Sequence, residues 1–225
     1  MKGYFITGTD TGAGKTVVSL ALMHALQVQG KSVAGMKPVS AGCITTETGL
    51  RNDDAVQLQN ASSVKLSYDV VNPYAYEPAI APHIAAQAIG EHIALDKITT
   101  CYRQIASEVD IVIVEGAGGW LVPINDRETM ADIARQLGLP VILVVGMRLG
   151  CLNHALLTAE SILSRDTKLA GWIANQVDQN MLYPDENIGS LKALIHAPLV
   201  GIVPWQNSVS PTIVSQHINT KLVSH

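Results

Sequence analysis

Aromatic residues, cysteines and long apolar runs are all scarce in this sequence, and each scarcity excludes a class of protein. One phenylalanine, three tryptophans and six tyrosines are too few to suggest a platform on which nucleic-acid bases could stack. The three cysteines, Cys43, Cys101 and Cys151, cannot all pair and follow no metal-ligand spacing, so we expect reduced thiols. No apolar run approaches the roughly 18 residues that a membrane-spanning helix needs.

A basic excess is also lacking. Lysine and arginine number 15 against 19 aspartates and glutamates, which gives a formal net charge of −4 and argues against a nucleic-acid-binding surface. The first residues, MKGYFITG, enter a strand-like segment without the pattern of a signal peptide, so we expect a cytoplasmic protein. The 225 residues, 48% of them hydrophobic, suffice for one core, and we expect a single domain over 1–225.

Short apolar runs rich in β-branched residues alternate with helical patterns along the chain. The strand candidates are YFITG, SVAGMKPV, DIVIVEGAGG, PVILVVG, LAGWIANQV and PLVGIVPW. Because they are apolar throughout rather than alternating, they indicate strands buried on both faces. The sequence therefore predicts an α/β fold, a doubly wound and mostly parallel sheet with helices on both faces, whose ligands bind at the carboxyl ends of the strands. Over 60–90, where prolines recur, we expect extended loops and a short helix.

The stretch GTDTGAGKT, Gly8–Thr16, resembles a phosphate-binding loop but carries five residues rather than four between its first glycine and Gly14. It lies between a predicted strand and an amphipathic helix from about Gly14 to Gln29. Glycines let backbone N–H groups approach phosphate, Lys15 suits the β- and γ-phosphates, and the Thr16 hydroxyl suits Mg²⁺. The alternative is an ordinary glycine-rich turn between a strand and a helix.

Three further charged residues lie near predicted strand ends. We expect Glu115 to end the strand DIVIVE and, with Thr16 and Asp54, to offer the oxygen ligands that Mg²⁺ prefers. The alternatives are a carboxylate that caps the glycine turn for Glu115 and helix N-capping for Asp54 or Asp53. Lys37, held extended by the proline that follows, suits developing negative charge, unless it is simply a solvated lysine.

Eight segments taken together resemble dethiobiotin synthetases. They are TGTDTGAGKT, KPVSAG, GLRNDDA, VNPYAYEPAIAPHIAA, VEGAGGWLVPI, LPVILVVGMRLGCLNHALLTAE, LAGWIANQV and APLVGIVPW; they run in that family's order and cover most of the chain. The resemblance implies a fold similar to that of P-loop NTPases and a reaction in which 7,8-diaminononanoate, CO₂ and MgATP give dethiobiotin, ADP and phosphate. It also implies a homodimer with active sites at the subunit interface.

The resemblance assigns roles to residues by their place in these motifs. It implies that Lys15 and Lys37 stabilise charge during catalysis and that Thr16, Asp54 and Glu115 bind the metal. The implied nucleotide-binding residues are Gly12, Ala13, Gly14, Lys15, Thr16, Val17, Asp54, Glu115, Gly116, Ala117, Gly118, Asn175, Gln176, Pro204, Trp205 and Gln206. The implied substrate contacts are Thr11, Ser40, Ala41, Gly150, Cys151, Leu152 and Asn153, of which the last four open a helix that reaches the partner subunit's substrate carboxylate.

The sequence departs from the family pattern at several positions. Ala41 takes the slot that is often serine, Asn187 takes an aromatic position with Tyr183 nearby, Pro211 stands where an acidic residue is expected, and Gly12 replaces a larger residue.

Three other functions compete with the synthetase. A partition-type ATPase switch is disfavoured because 10–11 hold no lysine. A GTPase is suggested by NQVD over 175–178. A non-enzymatic binding paralogue would be expected to lose Lys37 or Glu115, and both are present.

Overall fold

The protein, seen in a computed structural model that describes residues 3–207 and 210–222, is built on a central parallel sheet. Its six strands are β1 (Gly3–Gly8), β2 (Val33–Met36), β7 (Ile111–Gly119), β8 (Val141–Met147), β9 (Leu169–Gln176) and β10 (Leu199–Val203). Their order is β10-β9-β8-β1-β7-β2, and every pairing between neighbours is parallel. The predicted doubly wound, mostly parallel sheet is confirmed.

Four short strands lie outside this sheet. Strand β3 (Val39–Ala41) pairs in parallel with β6 (Tyr74–Tyr76), and β4 (Ile44–Thr46) pairs antiparallel with β5 (Gly49–Arg51). The helices are α1 (Lys15–Val28), α2 (Asp53–Asn60), α3 (Tyr68–Val71), α4 (Pro82–Ala88), α5 (Leu95–Glu108), α6 (Met130–Leu137), α7 (Cys151–Leu163), α8 (Pro184–Leu194) and α9 (Pro211–Ser215), with a 3₁₀ turn at Thr220–Leu222.

The strands are apolar throughout because both faces of the sheet are covered. Successive residues of β7 point to opposite sides: Val112 and Val114 belong to the core cluster that contains α5 to α8, and Ile113 belongs to the cluster that contains α1 and α9. In β8, Ile142 and Leu143 divide in the same way. Successive residues of one strand thus pack into two separate hydrophobic layers, one on each face of the sheet.

Three sequence expectations need correction. The expected strand SVAGMKPV is broken, because Pro38 cannot donate a ladder hydrogen bond; β2 ends at Met36 and β3 joins a separate sheet. Glu115 does not end its strand, since β7 continues beside β1 to Gly119. The stretch 60–90 holds two helices and a strand, α3, α4 and β6, where extended loops and one helix were expected.

In the described residues, no helix is both long enough and apolar enough to cross a membrane.

Helix α6 is capped by its own first turn. Asp132 Oδ2 accepts hydrogen bonds from Thr129 N at 2.8 Å and from Thr129 Oγ1 at 2.9 Å. Burial opposes ionisation of this carboxyl, but the Thr129 donors and the cation of Arg135 lower its pKa below the ordinary value.

We predict that Asp132→Ala lowers the free energy of unfolding by about 1 kcal/mol, the usual worth of a helix cap. Because the folded pKa is depressed, the difference from wild type should be full above a pH of about 4 and narrow as the pH falls through the folded pKa. Urea unfolding at several pH values measures this. Asp185→Ala, at an exposed position in the first turn of α8, is the control and should change stability by less than about 0.5 kcal/mol. An Asp132→Ala effect no larger than the control would contradict the capping role.

Candidate active site

The stretch Gly8–Thr16, called the nucleotide loop here after its expected role, connects β1, the strand between β8 and β7, to α1. Gly12 and Gly14 have φ values of 80° and 88°, a region that residues with a Cβ rarely adopt. A Cβ on Gly14 would also lie 2.0 Å from Asn175 Nδ2. That amide donates a 2.8 Å hydrogen bond to the carbonyl of Ala13, so the end of β9 holds the loop backbone.

Lys15, the lysine of the loop, is buried at 7% exposure. Its Nζ donates to the backbone carbonyl of Asp10 at 3.0 Å. Burial and the nearby positive charge of Lys37 lower the pKa of Lys15 to about 8, against the opposing effect of Glu115. A buried ammonium at the start of a helix is suited to an anion that brings compensating charge.

A buried cluster of charges lies beside the loop. Lys37 Nζ donates to Glu115 Oε1 at 2.6 Å, to Asp54 Oδ2 at 3.0 Å and to the carbonyl of Gly116 at 3.4 Å. The Thr16 hydroxyl donates to the same Glu115 Oε1 at 3.0 Å. Lys37 is 4% and Glu115 is 0% exposed, so Lys37 is not the solvated lysine that the sequence left open.

The charges in this cluster stabilise one another. Burial alone would lower the pKa of Lys37, but the carboxylates of Glu115 and Asp54 raise it above the ordinary lysine value. Burial would raise the pKa of Asp54, but Lys37 and the Thr16 hydroxyl bring it below its ordinary range. At neutral pH the lysine is therefore charged and Asp54 is ionised.

The oxygen atoms around Lys37 fit a hard cation. Thr16, Asp54 and Glu115 offer a hydroxyl and two carboxylates, as Mg²⁺ prefers when phosphates and waters complete its shell. Glu115 Oε2 is buried and has no hydrogen-bond partner among the residues that the structure describes, an arrangement that is costly unless a cation or donor reaches it. The described residues contain no group of three histidine, cysteine or acidic side chains placed to hold a metal, so the protein alone does not supply a complete cage.

Asp54 does not cap α2, which was the alternative role for it. The N-cap is Asn52, whose side chain accepts from Ala55 N at 3.2 Å. Asp53 accepts from Gln57 Nε2 at 2.7 Å. The carboxylate of Asp54, although in the first turn of α2, is therefore not needed as a cap, and it binds Lys37.

The segment that holds Ser40 and Ala41, two of the expected substrate contacts, is called here the substrate wall. It is held in place by Asn72, which the sequence analysis did not identify. Ser40 is buried and its Oγ donates to Asn72 Oδ1 at 2.8 Å, as does Tyr68 OH at 2.9 Å. Asn72 Nδ2 donates to the carbonyls of Lys37 at 2.6 Å and Tyr74 at 3.2 Å. Every polar atom of this buried amide is engaged. The only sequence indication was its place before a proline in the motif VNPY.

The glycine-rich end of β7, after Glu115, lies beside the nucleotide loop. Gly116 is buried, while Ala117 and Gly118 are half-buried. Gly118 has a φ of 63°, and a Cβ there would lie 3.6 Å from the hydroxyl oxygen of Thr11 and 2.8 Å from Val122. A side chain at Gly118 would thus fill space beside the loop.

The later nucleotide-binding residues that the resemblance implies lie at the end of β9 and directly after β10. Trp205 N donates to Gln176 Oε1 at 3.4 Å, and the Trp205 ring is 41% exposed. Pro204 is exposed, Gln206 is half-buried and Val17 is half-buried in α1. Pro211 begins α9.

The N-terminus of α7, the expected carboxylate site, lies at the surface. Gly150 is its N-cap with a φ of 93°, and Asn153 is exposed while Leu152 is half-buried. The side chain of Cys151 packs in the core and its N–H donates to the carbonyl of Arg148 at 3.0 Å. The side chain of Cys151 is therefore turned away from the surface, and its contact with a substrate stays a prediction. Nearby, Asn187 Nδ2 donates to the carbonyl of the exposed Tyr183 at 2.8 Å.

Comparisons with known proteins show which family the chain resembles over its length. A family model described as an AAA domain matches residues 2–212. The chain is 50% identical over 218 residues to the ATP-dependent dethiobiotin synthetase of Cellvibrio japonicus, covering 97% of this chain and 96% of that protein. It is 47% identical over 222 residues to that of Pseudomonas paraeruginosa, covering 98% and 97%.

The solved structures that resemble the fold include the cell division protein MinD of Aquifex aeolicus. That match has a TM-score of 0.60 at 18% sequence identity and covers 99% of this chain and 95% of the other. At this identity the likeness shows the fold alone.

We predict that Asn72→Leu lowers the free energy of unfolding by about 3 kcal/mol, because it leaves two hydroxyls and two carbonyls without their buried partner. Denaturant unfolding measures the change. The control is Asn60→Ala, at the exposed end of α2, which should lie within about 0.5 kcal/mol of wild type. An Asn72→Leu variant as stable as the control would remove Asn72 from its role as the organiser of this wall.

Proposed function

The chain belongs to the family of ATP-dependent dethiobiotin synthetases, and on this premise we propose that it converts 7,8-diaminononanoate, CO₂ and MgATP into dethiobiotin, ADP and phosphate. The observation that carries the proposal is that Glu115 links the nucleotide loop to a second buried lysine. Thr16 of the loop helix and Lys37 bind the same oxygen of Glu115. The residues that suit ATP and those that suit a second, anionic reactant therefore border one space.

The proposed chemistry proceeds in three steps. One substrate amine attacks CO₂ and loses a proton, which forms a carbamate. A carbamate oxygen attacks the γ-phosphorus, and the bond from that phosphorus to ADP breaks. The second amine then attacks the activated carbonyl carbon, loses a proton and expels phosphate, which closes the five-membered urea ring.

The protein's contribution is position and charge. In phosphoryl transfer most of the catalysis comes from alignment and from neutralising the phosphoryl oxygens. Lys15, anchored at the start of α1, is proposed to bind the β- and γ-phosphates. Lys37, whose backbone is fixed by Asn72 and whose ammonium is held by Glu115, is proposed to stabilise the carbamate and the charge that develops beside it.

Magnesium is proposed to bind through Thr16, Asp54 and Glu115, where it would neutralise phosphate charge. The buried Oε2 of Glu115 supports this assignment because an unpartnered carboxylate oxygen favours a cation. The remaining nucleotide contacts are proposed to come from the loop backbone, from 116–118 and from 175–176 and 204–206. Thr11, Ser40 and Ala41 are proposed to face the diamine.

A homodimer is proposed to complete the site. The first N–H groups of a helix bind carboxylate well. The N-terminus of α7 is at the surface next to Leu149, which is 98% exposed. We propose that Gly150, Cys151, Leu152 and Asn153 of one subunit form the site for the carboxylate of the diamine bound to the other. The N–H groups that follow Cys151 and the exposed side chain of Asn153 would bind the carboxylate, while Cys151 packs beneath them. A cytoplasmic location, where thiols stay reduced, is proposed on the basis of the three free cysteines.

We predict that ATP turnover requires Mg²⁺, bicarbonate and the diamine together, because the γ-phosphate has no acceptor until the carbamate forms. Coupled ADP release, measured with each component omitted in turn, tests this. Omitting any one should reduce turnover at least about tenfold. Rapid hydrolysis of ATP that is indifferent to the diamine would contradict the synthetase and favour a nucleotide switch.

We predict that two impaired variants restore activity when mixed and assayed at a diamine concentration below the wild-type KM. Lys37→Gln keeps a donor to Glu115 but no charge and should lose about 10²–10³-fold in activity. Asn153→Asp keeps the shape of the side chain, suits a helix N-terminus, and should raise the KM for the diamine at least about tenfold by repelling its carboxylate.

A randomly reassorted one-to-one mixture should recover about a quarter of wild-type activity, because half of the dimers are mixed and each mixed dimer has one intact site. Asn180→Asp, at an exposed position in a turn, controls for the added charge alone. A mixture no more active than its components, while sedimentation shows reassorted dimers, would contradict the shared site.

A further inference from the structure

Arg148 joins the end of β8 to the nucleotide loop. It follows the last residue of β8, and its Nη2 donates to Asp10 Oδ2 at 2.7 Å and, at a longer 3.5 Å, to the carbonyl of Thr11. The two charged side chains are 40% and 31% exposed. Within Gly8–Thr16, Asp10 is the only acidic residue and Lys15 the only basic one.

Asp10 also contacts the lysine of the loop. Its carbonyl accepts the hydrogen bond from Lys15 Nζ at 3.0 Å, so the orientation of this peptide helps to determine where the ammonium lies. Its other carboxylate oxygen accepts from Thr9 Oγ1 at 3.4 Å. The Asp10 side chain and backbone therefore connect Arg148 on one side with Lys15 on the other.

The end of β8 holds the same turn by its backbone. Thr9 N donates to the carbonyl of Val144 at 3.0 Å, and Gly146 N donates to Thr9 Oγ1 at 3.3 Å. These bonds fix Thr9, whereas Arg148 is the cation that holds the Asp10 carboxylate.

We propose that Arg148 is a positioning residue for the nucleotide loop. Its guanidinium neutralises the Asp10 carboxylate and keeps the carbonyl of Asp10 directed at Lys15. An ionised aspartate two residues before Gly12 would otherwise repel an incoming polyphosphate. With Arg148 bound, the turn carries no net charge from this pair, and the charge of Lys15 remains available to the nucleotide. The inference rests on the proposed function only in that the loop binds ATP.

The residue also reaches the proposed substrate-carboxylate site. Its carbonyl accepts from Cys151 N at 3.0 Å, which shapes the turn into α7. The side chain of Arg148 thus holds the nucleotide loop while its backbone begins the helix proposed to serve the partner subunit.

The test is the affinity for a non-hydrolysable ATP analogue with Mg²⁺, measured by calorimetry without diamine. Arg148→Met should weaken binding about tenfold by leaving Asp10 uncompensated. Arg148→Lys keeps the charge and should stay within about threefold of wild type. The double variant Asp10→Asn with Arg148→Met removes the uncompensated charge and should also return to within about threefold. Unchanged binding by Arg148→Met, or failure of Asp10→Asn to restore binding, would overturn the proposal.

A matched control separates this role from general stability. Arg135 makes a similar ion pair with Asp132 at 3.0 Å on α6, and Arg135→Met should leave analogue binding unchanged. Since the Arg148 pair is partly exposed, Arg148→Met should unfold at nearly the wild-type temperature. A similar loss of binding in Arg135→Met would also overturn the proposal. So would a lowered unfolding temperature of Arg148→Met that Arg148→Lys shares and that accounts for the loss of binding.

Steady-state kinetics provide a second, independent measurement. Arg148→Met should raise the KM for ATP more than it lowers kcat, because positioning of the loop acts first on binding. If wild-type protein bound the analogue but formed no dethiobiotin, the proposed function would fail while the Arg148 inference would still be decided by the binding data.

Discussion

The buried ion pair between Lys37 and Glu115 is the interaction on which the arrangement of the site depends. Glu115 is completely buried and Lys37 nearly so, and removing each ion from water costs several kcal/mol. The 2.6 Å contact between Lys37 Nζ and Glu115 Oε1, with added donation from Thr16, offsets that cost only while all three groups keep their places. Because Asp54 binds the same ammonium, the pair determines how the start of α1, the end of β2, the middle of β7 and the start of α2 lie relative to one another.

Strand order explains how residues so far apart in sequence meet. Strands β1, β7 and β2 are neighbours, and parallel strands present their carboxyl ends at one edge of the sheet. The nucleotide loop, Glu115 and Lys37 therefore lie side by side, while β8 and β9, on the other side of β1, supply Arg148 and Asn175 to hold the loop. A single sheet edge thus combines the nucleotide loop with a second buried cation, an arrangement that suits the proposed transfer of a phosphoryl group to another bound reactant.

Much of this could be predicted from sequence because it follows from local pattern and sheet geometry. Apolar, β-branched runs predicted the parallel sheet, and the rule on strand ends placed Lys37 and Glu115 near the loop. The bonds of Asn72 could not be predicted, since they depend on where a short helix delivers one amide against a backbone carbonyl. The pair of Arg148 with Asp10 was missed for the same reason: 138 residues separate the two, and no spacing rule relates them. Glu115 was placed at a strand end because the glycines after it indicated a turn. The chain instead stays in the sheet to Gly119, and the left-handed backbone of Gly118 is a local irregularity within β7.

We infer that the Lys37–Glu115 pair serves the chemistry of the site and contributes little to the free energy of unfolding. The most direct measurement is the free energy of unfolding of Lys37→Met, Glu115→Gln and the double variant. Lys37→Met should lose about 3–5 kcal/mol because it leaves a buried carboxylate uncompensated, whereas the double variant should be about as stable as wild type and inactive. A double variant destabilised by the sum of the two single changes would contradict the claim.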